Sequence, residues 1–293
     1  MAGDLTRAAI HAQPDWLRGV PERVGDLRLP DGQIVFTGCG TSFHAAQTGG
    51  NAVQALDATM RPPAADVLVC VSHEGETRLT IEAAKAFRGS VWLVTGKPDS
   101  PLGELADVVV RAAPEVEQSW CHTASYTCAV ATIAALRGED VAWLPDAVAG
   151  ALEQHEPVSE HERWLVAGAG RDLPTTQEAV LKLREGAYVA AEGHHVEQLL
   201  HGYLAAVDEG VRAFVLEGEG RLAERAHDAV AALGELGAEA TLVPTRHPVV
   251  DVVCFQLLTL ELALHRGVEP DRIRRDDERW ARAAKAAATA LSD

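Results

Sequence analysis

Short unbroken apolar runs alternate along this chain with stretches whose apolar residues recur at helical spacing. Residues 33–37 form the first run, and Gly38-Cys39-Gly40-Thr41-Ser42 leads from it into a helical pattern. The same grammar then repeats: 65–71 reads as a buried strand, 72–77 as a polar turn and 79–87 as a helix. Residues 91–95 and 107–111 read as two more strands, and 125–136 as a helix. The polar segment before them, 5–24, is helical in part. Apolar strands separated by helices predict an α/β fold with a parallel sheet covered on both faces. Ligands of such sheets bind outside the carboxyl ends of the strands.

A polar stretch rich in Glu and His, 153–163, precedes a second run of the pattern that begins at Trp164. Leu165-Val166-Ala167-Gly168-Ala169-Gly170 repeats Val35-Phe36-Thr37-Gly38-Cys39-Gly40 in hydrophobicity and glycine placement, about 130 residues later, as an internal duplication would. Strands at 211–216 and 239–243 flank a helix at 221–236, and 249–266 reads as one long closing helix. The expected architecture is two tandem α/β/α sandwiches with parallel central sheets, at 28–150 and 160–268. The remainder, 269–293, is charged and then Ala-rich, and reads as a surface helix or tail.

Composition narrows the partners. With 26 Lys and Arg against 43 Asp and Glu, the net charge of −17 disfavours nucleic acid and anionic membrane surfaces and leaves a small molecule as the expected ligand. An anionic ligand would then need a local pocket of backbone N–H groups and hydroxyls. No apolar run is read as reaching the ~18 residues of a membrane span, and no leader-like stretch opens the chain. Five cysteines without a C-x-x-C pair fit a reduced, cytoplasmic setting. Only four lysines occur (Lys85, Lys97, Lys182, Lys285), so each merits inspection.

Gly40-Thr41-Ser42 and Ser72-His73-Glu74-Gly75-Glu76-Thr77 both follow strands and place hydroxyls and unpaired N–H groups at helix N-termini, where anions bind. The plainer explanation of Thr41, Ser42, Ser72 and Thr77 is helix capping. Lys182 and Glu185 lie three apart on one helical face, either as a tuned pair or as a surface ion pair. His194 and His195, adjacent on what reads as a loop, are without clear carboxylate or cysteine partners in the sequence, so no metal is expected. His155, Glu156 and His161 read as a solvated linker.

Gly38-Cys39-Gly40-Thr41-Ser42 followed by Ser72-x-x-Gly75-Glu76-Thr77 resembles the phosphosugar loops of sugar isomerase (SIS) domains, especially the isomerase half of the glucosamine-6-phosphate synthases. Glu178-Ala179-Val180-Leu181-Lys182-Leu183-Arg184-Glu185, then Tyr188, Glu192 and Leu199-Leu200-His201-Gly202, resembles a second motif of that family, in the same order. By this resemblance Gly40, Thr41, Ser42, Ser72, His73, Glu74 and Thr77 surround a substrate phosphate, with His122 and Thr123 beside them. Glu185 is implied as the base moving a proton between C1 and C2, His201 as the group that assists ring opening, and Lys182 as the cation that tunes Glu185 or holds a substrate oxygen. An aldose–ketose shift needs such a carboxylate, and imidazole suits ring opening near neutral pH. No cofactor is implied.

Three positions depart from the family. Glu74 stands where it has a serine, Trp120-Cys121-His122-Thr123 replaces its V-A-S-T, and an ungapped count puts Glu278 where its imine-forming lysine would be, with Lys285 several residues late. A Schiff base is not expected, nor a glutaminase reaction. The function expected is therefore a phosphosugar aldose–ketose isomerase or an amino-sugar-phosphate deaminase or deglycase. The alternatives are a sugar-phosphate-binding module without catalysis, or an enzyme acting on a sugar without phosphate, which Glu74 would suit. The resemblance further implies a homodimer whose sites are shared between subunits, with His201 crossing over.

Overall fold

The computed structural model describes residues 2–154, 158–159 and 161–288. His155 and Glu156 of the expected linker lie outside the described residues. Along the chain the elements are α1 (Asp4–Arg18), α2 (Val20–Val24), β1 (Ile34–Gly38), α3 (Thr41–Thr48), β2 (Ala52–Gln54), α4 (Ala55–Met60), β3 (Val67–Val71), α5 (Arg78–Ala86), β4 (Ser90–Thr95), β5 (Val108–Arg111), α6 (Ala124–Leu136) and α7 (Leu144–Ala151). They continue as β6 (Arg163–Gly168), α8 (Leu173–Gly186), β7 (Ala190–His195), α9 (Val196–Leu200), β8 (Val211–Leu216), α10 (Arg221–Glu235), β9 (Glu239–Val243), α11 (Pro248–Asp251), α12 (Val253–His265) and α13 (Glu278–Ala288).

Two parallel sheets result, ordered β2-β1-β3-β4-β5 and β7-β6-β8-β9. Within each, the second strand in sequence pairs outside the first, followed by the third and fourth, so the two sheets share one order. Apolar runs without alternation form these strands because both faces are covered. In β3, Val67, Val69 and Val71 join one apolar cluster while Leu68 and Cys70 join another. In β6, Trp164 and Val166 face one layer, and Leu165 and Ala167 the other. Each fully buried apolar side chain contributes roughly 1.5–3 kcal/mol.

One expected loop is a strand, and one strand was not anticipated. His194 and His195 lie on β7, not on a loop, and β2 is a three-residue strand, Ala52–Gln54, beside β1. Both strands are at sheet edges, where a half-exposed strand can carry polar residues, although the edge strands β5 and β9 keep apolar runs. The expected closing helix is broken at Val252 into α11 and α12. Together the stretch Pro248–His265 is long and apolar enough to cross a membrane, contrary to the sequence reading, yet 67% of it is buried within the fold. Val249, Val250, Val253 and Leu257 pack into the cluster of the first sheet, and Phe255, Leu258 and Leu262 into that of the second, so this segment ties the two layers together.

The paired glycines have a steric cause. A Cβ on Gly38 would come within 2.8 Å of the Ser42 carbonyl carbon, and one on Gly168 within 2.3 Å of Thr176 Oγ1. At both places a helix starts hard against the end of its strand, which brings helix N-termini to the carboxyl edge of each sheet.

Candidate active site

A cavity of about 460 Å³ opens at the carboxyl edge of the first sheet, over the N-terminal ends of α3 and α5 and against one side of α8. Gly40, Thr41, Ser42, Ser72, His73, Glu74, Thr77, His122 and Glu185 all line it. Capping does not account for the hydroxyls: neither α3 nor α5 has a side-chain cap bond. Ser72 Oγ lies 3.4 Å from Thr77 Oγ1, and Thr41 is engaged on its other side.

That engagement is a buried charge network on α8. Glu178, Lys182 and Glu185 fall at i, i+4 and i+7, so one face carries all three. The Lys182 ammonium is fully buried and donates to Thr41 Oγ1 at 3.0 Å, to the Cys121 carbonyl and to Glu185 Oε1, with Glu178 Oε1 at 3.2 Å. Thr41 in turn donates to Glu178 Oε1 at 3.1 Å, and His44 Nδ1 lies 2.7 Å from Glu178 Oε2. Burial alone would make Glu178 less acidic, but Lys182 and His44 outweigh it and hold the carboxyl below its ordinary range. Burial likewise opposes the charge of Lys182, and the two flanking carboxylates reverse that and fix it as an ammonium.

Glu185 differs from Glu178. It sits at the cavity wall, one-fifth exposed, and burial raises its pKa above the ordinary carboxylate value despite Lys182. Oε1 is held by Lys182, while Oε2 makes no hydrogen bond to a described residue and remains for the cavity. A carboxylate held at one oxygen, open at the other and shifted toward neutrality has what a positioned general base requires.

Opposite stand two neutral imidazoles. Burial pushes His122 down to about 4 and lowers His73 as well. Their ring centroids are 5.4 Å apart, and His73 Nε2 accepts the Glu117 N–H at 2.9 Å, which leaves the proton on Nδ1. His122 has φ 42, a left-handed conformation that the turn entering α6 enforces. Glu117 builds this turn: its carboxylate accepts from Thr123 N at 2.7 Å, Thr123 Oγ1 at 3.0 Å and Ser125 N at 2.8 Å.

Thr123, expected on the wall, is therefore a correction: it is buried beneath the cavity with its hydroxyl committed to Glu117, and Ser125 lines the cavity instead. His201 is a second correction for a site within one chain. It is on the surface, with its side chain 77% exposed and Nε2 3.3 Å from Glu197, and it does not line the cavity. Lys182 stands behind the wall and acts on the cavity through Glu185 and Thr41.

The sequence reading missed Glu178, His44, Glu117 and the chain's last turn before α13. Glu178 was within the quoted motif, but nothing in a helical spacing says which carboxylate faces a cavity. Residues 269–276 do not simply trail over the surface. Asp271 is buried and accepts from Thr6 N at 2.7 Å and Thr6 Oγ1 at 2.6 Å, and Glu269 Oε1 accepts from Gly3 N at 3.1 Å. The motif residue Tyr188 fastens the same segment, donating to the Glu269 carbonyl at 2.8 Å and accepting from Arg274 N at 2.9 Å. Ile273 and Arg275 thereby reach the cavity. Glu278 begins α13, and Lys285 is on that exposed helix; neither lines the cavity. We expect Lys285→Ala to leave turnover within about twofold of wild type, as for a surface substitution; a large loss in a steady-state assay would reopen the question of an imine. Among the described residues no three His, Cys, Asp or Glu side chains are grouped as metal ligands would be.

No protein-family model matches this chain. Among curated proteins it is similar to glutamine–fructose-6-phosphate aminotransferases (isomerizing): that of Pyrobaculum aerophilum is 28% identical over 86% of this chain and 52% of the relative, and that of Aeropyrum pernix 29% identical over 86% and 51%. The chain thus spans about half the length of the curated relatives it matches. Among solved structures, the C-terminal domain of glucosamine-fructose-6-phosphate aminotransferase from Francisella tularensis superposes with a TM-score of 0.81 at 21% identity, covering 91% of this chain and 97% of that one. Glucosamine-6-phosphate deaminase from Thermotoga maritima gives 0.77 at 19% identity, covering 92% and 97%. Tagatose-6-phosphate ketose/aldose isomerase from Escherichia coli gives 0.76 at 19%, covering 92% and 95%. The chain has the α/β fold of these solved structures, with which it shares parallel sheets.

Proposed function

We propose that this protein catalyses proton transfer between C1 and C2 of a sugar phosphate, as an aldose–ketose isomerase or as a deaminase or deglycase that shares those early steps. The observation that carries the reading is Glu185: a carboxylate fixed at one oxygen by buried Lys182, with the other left for a cavity whose far wall is made of hydroxyls and helix N-termini. Ser42, Ser72 and Thr77 would receive the phosphate. Neutral His122 would donate to a sugar oxygen without adding charge. The common strand order of the two sheets supports a reading as two tandem SIS sandwiches, 28–150 and 160–268. A cytoplasmic setting belongs to the same reading.

Purified protein assayed against a panel of hexose and hexosamine phosphates, with ketose and ammonia readouts, tests it. Turnover of at least one member is expected. Tight binding with no turnover of any would favour a sensor module.

His201 fits this function if it enters the cavity of a second subunit, since its own chain leaves it exposed. In such a dimer His201→Asn and Glu185→Gln would each be inactive on cyclic substrate. Mixing and reassembling the two should restore about a quarter of wild-type turnover, because half the dimers are mixed and each of those holds one intact site. No recovery on mixing would remove His201 from the mechanism.

A further inference from the structure

The cavity's charges conflict with its proposed ligand. Three carboxylates line it, Glu74, Glu76 and Glu185. Glu76 is offset by Lys97, 2.5 Å away, and Glu185 by Lys182, whereas Glu74 has no ion-pair partner among the described residues. Both lining histidines flanking Glu74 and Trp120 are held neutral by burial. An oxyanion entering this space would meet an unopposed carboxylate in the very loop that should bind it. Like charges repel more strongly in a half-enclosed cavity than in open water.

One lining side chain has the opposite sign. Arg275 is the only lysine or arginine on the cavity wall among the described residues. Its guanidinium stacks 3.6 Å above the Trp120 ring and 5.2 Å from that of Trp280, and it makes no hydrogen bond to a described residue. Its donor edges are thus available. Glu74 is the carboxylate it feels most, with Glu185 also within its field. The backbone gives this placement deliberately: Ile273 and Arg274 both take positive φ, 41 and 62, which a β-branched residue adopts only under constraint. Asp271, Tyr188 and the stacking of Arg274 on the Tyr188 ring at 4.2 Å supply that constraint.

We propose that Arg275 is the specificity-determining anchor for the anionic group of the substrate, and that Glu74 is its counter-charge in the unliganded protein. An arriving phosphate engages the guanidinium's open donors, and Arg275 in turn offsets the charge of Glu74. Arginine suits this role because its planar fork meets an oxyanion through two parallel hydrogen bonds while its face remains stacked. The inference rests on the phosphosugar reading above and adds to it the residue that lets an acidic loop accept an anion.

Calorimetric titration of the full chain with inorganic phosphate, fructose 6-phosphate and fructose tests it, in wild type, Arg275→Gln, Arg275→Lys, Glu74→Ser and the Glu74→Ser/Arg275→Gln pair. Arg275→Gln should weaken both phosphate ligands at least tenfold, as loss of a charge-assisted bond does, and leave any binding of fructose unchanged. Arg275→Lys should recover part of the loss. Adding Glu74→Ser to Arg275→Gln should restore more affinity than Glu74→Ser gains in the wild-type background, since the guanidinium no longer offsets Glu74. Equal phosphate affinity in wild type and Arg275→Gln overturns the anchor and leaves the phosphosugar reading standing. A wild type that binds fructose but neither phosphate ligand overturns both. Unchanged thermal midpoints across the set would show that the stacked tail remains folded.

Discussion

Glu185→Gln should lower turnover of the responsive sugar phosphate by about 10²- to 10⁴-fold with little change in its binding, the cost typical of removing a positioned base. Glutamine keeps the length of the side chain and an oxygen for Lys182, so the network of Thr41, Glu178 and Lys182 survives. What disappears is the proton acceptor left at Oε2. The pH profile makes the test sharper. Burial raises the Glu185 pKa, so the ionised base is lost as pH falls through a value above the ordinary carboxylate range, and the acid limb of kcat should lie there. In Glu185→Gln the residual rate should lack that limb. Rates near wild type would remove Glu185 as the base, and an unshifted limb would assign the step to another group.

Much of this site could be read from residue order because strands buried on both faces leave an unbroken apolar signature. The run before Gly38 and the run before Ser72 announced two parallel strands, and the strand–loop–helix rule then put Thr41, Ser42, Ser72 and Thr77 on one rim. What escaped was set by tertiary packing. β2 and β7 escaped because one is only three residues long and the other is mostly polar, which an edge strand tolerates. Thr123 lies beneath the cavity and Ser125 on its wall because Glu117 folds back onto the start of α6, a contact no local spacing encodes. Arg275 stood in a stretch of charges that looked like a solvated tail. Its placement depends on Asp271 meeting Thr6, 265 residues away in sequence. The same long-range tether turned Tyr188, quoted as a motif residue beside the base, into a clasp for the tail.

The largest stability effect should come from Lys182→Met. The side chains are of similar length and both suit a helix, so the backbone of α8 is not the issue. The ammonium, however, is the fully buried cation between Glu178 and Glu185, and removing one partner of a buried ion cluster typically costs about 3–5 kcal/mol. The pH dependence should change sign with it. In wild type the Glu178 pKa is held below its unfolded value, so its contribution is present above about pH 4.5 and lost as pH falls through the depressed folded value. Without Lys182, burial dominates at Glu178 and lifts its folded pKa above the unfolded one, and it raises that of Glu185, already above the ordinary value, further. Their contribution is then fully present below about pH 4.5 and is lost as pH rises through the raised values. Urea midpoints at pH 5 and pH 8 should show the variant losing more at pH 8, where both carboxylates must ionise without a partner. A Lys182→Met protein within about 1 kcal/mol of wild type at pH 8 would mean that water reaches this cluster and that Glu185 does not owe its position to Lys182.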